Sequence, residues 1–539
     1  MLIRSLVIVG VLFFSSSWGE LLKKPRQQHY SRSVMNMDVL LKMDDALVGN
    51  LEKFADELLQ KAKTIRRGIH EMRKRHKNYN PSEQFWASPL KSYSLIRHMQ
   101  ADWLMWQVYL EKPVGQEELR FLDSNKTSLP QDHDIADAAH GIKMLQRTYG
   151  MMASDIARGL LDGVQYDSSL APVDCLAIAH HLMNQSIWSA AEPWILSGLE
   201  AVDLQTEMES LRGPTKALLH RTLGEVRMKQ GNHKGALQAY QVALKLSPHD
   251  SEVFQEYQSL ENRILSLSEI GPLEEEPDDP DESDNFPPCC SGRCEVVRKL
   301  RRMYCVYNHV TAPFLRLAPI KTEILSTDPF MAILHDMVTP KESALLRSSS
   351  RDYLWPSATV PVDDFSNTSL VDRHRTSMSA SLDDDFNEGT LKLCERLGDA
   401  TGLHVNYSDV IQVVNYGLGG YFQMHFDLLL SKNARFNGTE DRMSTTLFYL
   451  NDVPQGGGTY FPELNITVFP SFGSALFWYN LDWKGNDHMK SMHTGCPVIV
   501  GSKWVVTKWV YDMGQEFRRP CIDSKSSTKA LLSLEKLII

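Results

Sequence analysis

Apolar positions recur at helical spacing through the first half of the chain and at strand spacing through the last third. Leu40, Leu47, Leu51, Phe54, Leu58 and Ile65 fall on one seam with seven-residue spacing, interrupted by Asp44 and Lys61. Such a seam predicts either a short coiled coil or an amphipathic helix packed within its own domain. Further helical patterns run through Leu95 to Leu110 and Ile135 to Arg158, so residues 34–165 read as helical. Residues 217–250 fit one tetratricopeptide repeat: Leu223-Gly224, Ala236, Tyr240, Ala243 and Pro248 stand at its offsets. Small residues let the two helices pack closely, and the proline ends the second. Residues 173–203 read as a degenerate preceding helix pair. So few repeats cannot bury a solenoid core, so flanking helices must cap them.

The texture breaks at 271–288, which is rich in Glu, Asp and Pro and reads as a linker. From about 313, short β-type runs alternate with Gly, Pro, Asn and Asp. They include Val410 to Asn415, Ser444 to Leu450, Ile466 to Phe469, Ala475 to Tyr479, Pro497 to Val500 and Lys503 to Val510. Such a series predicts a sandwich or jelly roll. Gly501-Ser502 between two apolar runs predicts a two-residue hairpin.

The chain has 539 residues, too many for one core, which predicts about three domains. The net charge is −10, and eight acidic residues without a basic one sit between Glu274 and Asp284. The acidity is therefore mostly local. No basic stripe points to nucleic acid. Arg4, the apolar run Leu6 to Phe14 and the segment Ser15 to Gly19 predict a secretory signal peptide over 1–19. That run is short for a bilayer, and no other segment is long and apolar enough, so no membrane span is expected. Eight cysteines and sequons at Asn125, Asn184, Asn367, Asn406, Asn437 and Asn465 agree with the secretory pathway. The sequence ends Lys536-Leu537-Ile538-Ile539 rather than in a retention tetrapeptide. Residence in the endoplasmic reticulum lumen would then depend on a partner. Cys290 and Cys294 are close to zinc-ligand spacing. An oxidising compartment instead favours disulfides among Cys289, Cys290, Cys294 and Cys305.

The segment 415–427, Asn-Tyr-Gly-Leu-Gly-Gly-Tyr-Phe-Gln-Met-His-Phe-Asp, carries the candidate chemistry. Side chains at i and i+2 of a strand share a face, so His425 and Asp427 point together. With a distant histidine they would form the 2-His-1-carboxylate set of non-haem iron oxygenases. Alone, a His-x-Asp pair is common in structural roles. His493, just before a strand, and Lys503, ten residues later at the start of the next, change the balance. His493 completes the triad, and Lys503 neutralises the far carboxylate of a buried 2-oxoacid. Lys508 lies on the opposite strand face and ranks below Lys503.

Residues 410–521 resemble the α subunit of collagen prolyl 4-hydroxylase. The matching motifs are Asn415-Tyr416-Gly417 with Gly419-Gly420, His425-Phe426-Asp427, Gly457-Gly458-Thr459-x-Phe461-Pro462, Ala475-x-Phe477-Trp478-Tyr479-Asn480, His493-x-x-Cys496-Pro497-Val498, Gly501-x-Lys503-Trp504-Val505, Lys508-Trp509 and Gly514 to Cys521. Weaker similarity reaches back to about residue 34. The resemblance implies His425, Asp427 and His493 as iron(II) ligands, Lys503 as the 2-oxoglutarate anchor, and L-ascorbate as reductant. It implies a Cys496–Cys521 disulfide, a second one from Cys305 to Cys289 or Cys290, and an α2β2 assembly with protein disulfide isomerase as β. Lysine rather than arginine at 503 favours the collagen-type branch over lysyl and oxygen-sensing hydroxylases. Two departures stand out. The family has Tyr-Glu-Pro where this chain has Phe422-Gln423-Met424. Aligning at Gly231 places Thr222 and Glu225 where groove tyrosines occur in the family, with Trp188 and Tyr240 as nearby aromatics.

The expected architecture is multidomain α + β. It comprises signal peptide 1–19, a helical, coiled-coil-like dimerisation domain 20–165, a TPR-like peptide-binding domain 166–270, an acidic and Cys-rich linker 271–312, a catalytic double-stranded β-helix (jelly roll) 313–521 and a tail 522–539. The expected reaction is 4-hydroxylation of proline in collagen-like X-Pro-Gly sequences, consuming O2 and 2-oxoglutarate and releasing succinate and CO2. One alternative is a hydroxylase of other proline-rich secreted peptides with an altered groove. Another is a non-catalytic adaptor whose repeats bind peptide.

Overall fold

The structure is a computed structural model that describes residues 29–77, 88–202, 215–265, 288–294, 304–359, 370–371, 374–429, 441–519 and 537. The expected signal peptide, the acidic run 274–284, Asn367, Asn437 and Cys521 lie outside the described residues. The chain forms two compact units, 35–131 and 29–34 with 132 onward.

The first unit is helical. Helix α1 (Met37–Lys77) is followed by α2 (Pro89–Arg97), α3 (Trp103–Glu111) and α4 (Gln116–Asn125), and α1 packs on α4. Lys61, which interrupts the apolar seam, donates to the carbonyls of Leu110 and Lys112 at 2.8 and 2.6 Å. It thereby satisfies acceptors that the end of α3 leaves open. Phe54 is half-buried, whereas Leu51 and Leu58 of the same seam are exposed. The unit itself uses the seam only in part.

The second unit begins with α5 (Asp132–Tyr149) and continues through α6 (Pro172–Asn184), α7 (Trp188–Ala201), α8 (Lys216–Lys229), α9 (His233–Leu246) and α10 (Ser251–Leu265). From α6 to α10 each helix packs on the next. Gly224 permits the α8–α9 approach, because a Cβ there would lie 2.7 Å from the Tyr240 ring. Thr215 and Asn232 cap α8 and α9 by accepting the amides of Leu218 and Gly235 at 3.0 Å each. Tyr240 is core. Thr222 is buried and donates to the Leu218 carbonyl at 3.0 Å, while Glu225 is exposed.

The sheet portion holds β1 (Tyr304–Asn308), β2 (Ile320–Thr327), β3 (Phe330–Leu334), β4 (Trp355–Pro356), β5 (Met378–Leu382), β6 (Ile411–Tyr416), β7 (Phe422–His425), β8 (Arg442–Tyr449), β9 (Gln455–Gly456), β10 (Thr459–Phe461), β11 (Ile466–Val468), β12 (Ala475–Tyr479), β13 (His493–Gly495), β14 (Val498–Val500) and β15 (Lys503–Tyr511). Nine strands form one sheet in the order β1-β2-β3-β12-β8-β15-β6-β5-β4, and four form a second in the order β7-β13-β10-β11. Both contribute to one apolar core, with Val414, Tyr449, Leu476, Trp478 and Val505 from the large sheet and Phe461 and Val468 from the small one. That packing agrees with the expected jelly roll. A second core joins the α5–α8 helices to the small-sheet side through Tyr149, Tyr460, Cys496 and Ile499. There the Tyr149 hydroxyl donates to the Pro497 carbonyl at 2.6 Å.

Two expectations are corrected. The strands flanking Gly501-Ser502 do not form a hairpin. Val498–Val500 pairs with Gln455–Gly456, whereas Lys503–Tyr511 pairs with β6 and β8. The turn instead carries the chain from a separate two-stranded β9–β14 ribbon into the nine-stranded sheet, with Gly501 at φ +97° beside Pro454. The cysteines also pair otherwise than the resemblance implies. Cys496 joins Cys290, Cys289 joins Cys294, and Cys305 is free and exposed. The 3-10 turn at Pro288–Ser291 packs on β10 and β11, which brings Cys290 within 5.6 Å (Cα–Cα) of Cys496. Cys305 is held away on edge strand β1.

Candidate functional site

Strand β7 ends at His425 and pairs antiparallel with β13, which puts His425 opposite His493. Asp427 follows two residues after His425. The three side chains offer ligand atoms within 4.8 Å of one another. His425 Nε2 lies 3.3 Å from Asp427 Oδ1, and His493 Nε2 lies 3.7 Å from Asp427 Oδ2. Each Nδ1 faces a backbone carbonyl two residues earlier: Gln423 at 2.6 Å for His425 and Ser491 at 2.9 Å for His493. A carbonyl only accepts, so Nδ1 carries the hydrogen and Nε2 keeps its lone pair toward the cluster. The donor set therefore fits a divalent metal with imidazole and carboxylate ligands.

The surroundings hold these groups in place. Thr445 donates to Asp427 Oδ2 at 2.8 Å and accepts from the Asn480 amide at 2.9 Å. Phe461 and Trp478 pack on the His493 ring, with centroids at 5.3 and 4.8 Å. Phe422 stacks on His425 at 3.6 Å, and the Arg375 guanidinium lies over the Phe422 ring at 4.6 Å.

Lys503 lines the same pocket as the triad, together with Thr459 and Tyr416. It sits opposite Tyr416 in the β6–β15 ladder, and its ammonium lies 5.2 Å from that ring. Lys508 points the other way, donating to Asp384 and to the Asp409 carbonyl. It belongs to a buried structural network.

Burial sets the electrostatics. It pushes Lys503 down to about 7. Burial and the neighbouring His425 push His493 down to about 4. For Asp427, burial alone would raise the pKa, but His493 and His425 outweigh it and hold the carboxyl below the usual carboxylate range. At neutral pH the site thus presents a neutral His493 imidazole and an ionised Asp427 carboxylate.

All four residues expected from the sequence line one pocket. Sequence reasoning missed Arg375 and Thr445. Arg375 is buried in the pocket wall and donates to Gln412 at 2.6 Å. The polar run Ser444-Thr445-Thr446 inside an apolar strand was a readable signal for Thr445. Nothing around Arg375 marked it.

The prolyl 4-hydroxylase alpha-subunit N-terminal region profile matches residues 33–163, and that of the 2OG-Fe(II) oxygenase superfamily matches 411–511. Prolyl 4-hydroxylase subunit alpha-1 of Rattus norvegicus is 29% identical over 460 residues, covering 81% of this chain and 85% of that protein. Subunit alpha-2 of Caenorhabditis elegans is 29% identical over 481 residues, covering 85% and 86%. Subunit alpha-3 of Homo sapiens is 30% identical over 471 residues, covering 81% and 84%. Likeness over most of both chains, with the four converging side chains inside the matched oxygenase region, makes this chain a member of the prolyl 4-hydroxylase alpha-subunit family.

Proposed function

We propose that this chain is a prolyl 4-hydroxylase acting on peptidyl proline in collagen-like X-Pro-Gly sequences. The observation that carries the reading is the meeting of His425, Asp427, His493 and Lys503 in one pocket. In this reading His425, Asp427 and His493 hold iron(II), and Lys503 pairs with the distal carboxylate of 2-oxoglutarate. When bound, iron, 2-oxoglutarate and O2 supply the oxidising chemistry, with succinate and CO2 as products. The chain's own residues position and shield it. The carbonyls of Gln423 and Ser491 fix the imidazole tautomers. Thr445 and Asn480 orient Asp427. Phe461 and Trp478 keep water from the His493 side. A buried lysine suits a dianionic co-substrate, because the pairing recovers the desolvation penalty of both charges.

The same reading includes ascorbate as reductant, protein disulfide isomerase as β subunit in an α2β2 assembly, and the endoplasmic reticulum lumen as location. Two disulfides support an oxidising compartment. Among the described residues no helix is long and apolar enough to cross a membrane.

A second reading, hydroxylation of other proline-rich peptides, is favoured by the surface of α8. Thr222 is turned inward, Glu225 is exposed, and Arg221 bridges to Glu252 and Glu256 at 2.7 Å each. Charge stands where stacking aromatics would suit polyproline. The test is co-expression with protein disulfide isomerase, followed by succinate release over (Pro-Pro-Gly)n and non-collagen proline-rich peptides. Turnover of the first group supports the collagen reading, and turnover of the second alone supports the alternative. His493→Ala is expected to abolish peptide-dependent decarboxylation. Unchanged turnover rejects the metal assignment, and failure of the intact chain to bind iron and 2-oxoglutarate leaves the adaptor reading.

A further inference from the structure

A second cluster of metal-type side chains lies away from the pocket, where segment 29–34 meets the start of α5. His29, His133 and Asp134 offer ligand atoms within 4.8 Å of one another. Asp134 is buried. One of its oxygens accepts the Tyr30 amide at 2.8 Å, and the other lies 3.6 Å from His133 Nε2. The His29 and His133 rings meet edge to face at 5.1 Å. His29 Nδ1 and His133 Nε2 are both buried without a hydrogen-bond partner. A buried polar nitrogen left without a partner is destabilising. Two of them beside a buried carboxylate form a set that a divalent cation would satisfy at once.

We propose that His29, His133 and Asp134 form a structural zinc site, with water in the fourth position. Two imidazoles and one carboxylate are a zinc-type donor set, and Zn–N distances of about 2.0–2.1 Å require the three atoms to close up modestly. The charge surroundings permit it. Arg32, the nearby cation, is paired with Asp137 at 2.7 Å. The positive end of α5 opposes a cation, and Asp132 and Asp134 in its first turn offset that. Bound zinc would clamp the segment whose Ser33 donates to Asn415 at 2.6 Å and whose Ser31 carbonyl accepts the Leu418 amide. The clamp would thus steady the chain that leads into β7 without touching the pocket.

The test is equilibrium dialysis of the full chain, co-expressed with its β subunit, against micromolar zinc. His425→Ala and His493→Ala are present throughout to silence the pocket. About one zinc per chain is expected above the β-subunit background, and adding His133→Ala or His29→Ala should remove it. Equal zinc with and without His133→Ala overturns the proposal. A second readout is trypsin cleavage after Arg32, a buried residue. Zinc should slow this cut at least about fivefold in the pocket-silenced chain and leave the His133→Ala chain unaffected. Matching thermal melts without zinc separate lost binding from lost folding, and zinc-independent cleavage in both chains also overturns the proposal.

Discussion

Lys503 is a side chain whose chemistry changes sharply on folding. Burial lowers its ammonium to about 7, against an ordinary value near 10.4. Between those values the unfolded chain binds a proton that the folded chain does not, so this residue makes stability rise with pH across that window. A dianion entering the pocket reverses the preference and recruits the proton. The affinity of the full chain for 2-oxoglutarate should therefore weaken between pH 7 and 9, by up to about tenfold per unit. Calorimetry in buffers of different ionisation enthalpy should register the uptake. Lys503→Met should weaken binding about a hundredfold and flatten the profile. A flat profile in the unaltered chain would exclude Lys503 as the anchor. The sequence exposed His425, Asp427, His493 and Lys503 because strand periodicity and motif order both constrain them. It did not expose Arg375, which lies about fifty residues upstream of the His-x-Asp pair and reaches the pocket through the β6–β5 pairing and a bridge of its own to Phe422.

Strands were legible as elements because apolar alternation has a two-residue period, and Ala475–Tyr479 was read to the residue. Their partners were less legible. Gly501-Ser502 has the chemistry of a tight turn, but chemistry does not say whether the strands it joins share a sheet. The cysteines pose the same problem, since pairing depends on which loop packs on which strand. The Cys290–Cys496 bond spans 206 residues and anchors the turn at Pro288–Ser291 three residues beyond His493. Cys290→Ser should destabilise the second unit by about 2–5 kcal/mol, read as a lowered Tm in calorimetry. Peptide mapping without reduction should recover the 290–496 link and an alkylatable Cys305. Recovery of a Cys496–Cys521 peptide would refute this pairing.

At the scale of the molecule, sequence reading separated a helical front from a sheet-rich back, because the period of the apolar pattern switches from that of helices to that of strands. The compact units divide the chain after residue 131, with α5 joining the second. That boundary depends on packing, such as Tyr149 on Pro497, which no local pattern announces. Helices α6 to α10 carry a prediction of their own. A groove lined with tyrosines rewards long polyproline peptides. Here Arg221, Glu225, Glu252 and Glu256 occupy the α8 and α10 surfaces instead. Steady-state kinetics on (Pro-Pro-Gly)5 and (Pro-Pro-Gly)10 should therefore give KM values within about threefold of each other, because few stacking contacts are added. A fall of tenfold or more would restore an aromatic-type groove.

The carbonyls of Gln423 and Ser491 have one more consequence. Since both imidazoles already carry their hydrogen on the far nitrogen, neither ring has to flip or trade a proton before it can ligate. Loading becomes exchange at a ready-made socket rather than a conformational event. Chain stripped by a chelator should regain its colour with iron and 2-oxoglutarate within mixing time, and the cell's supply of reduced metal, not the protein, would then govern how much of it is active.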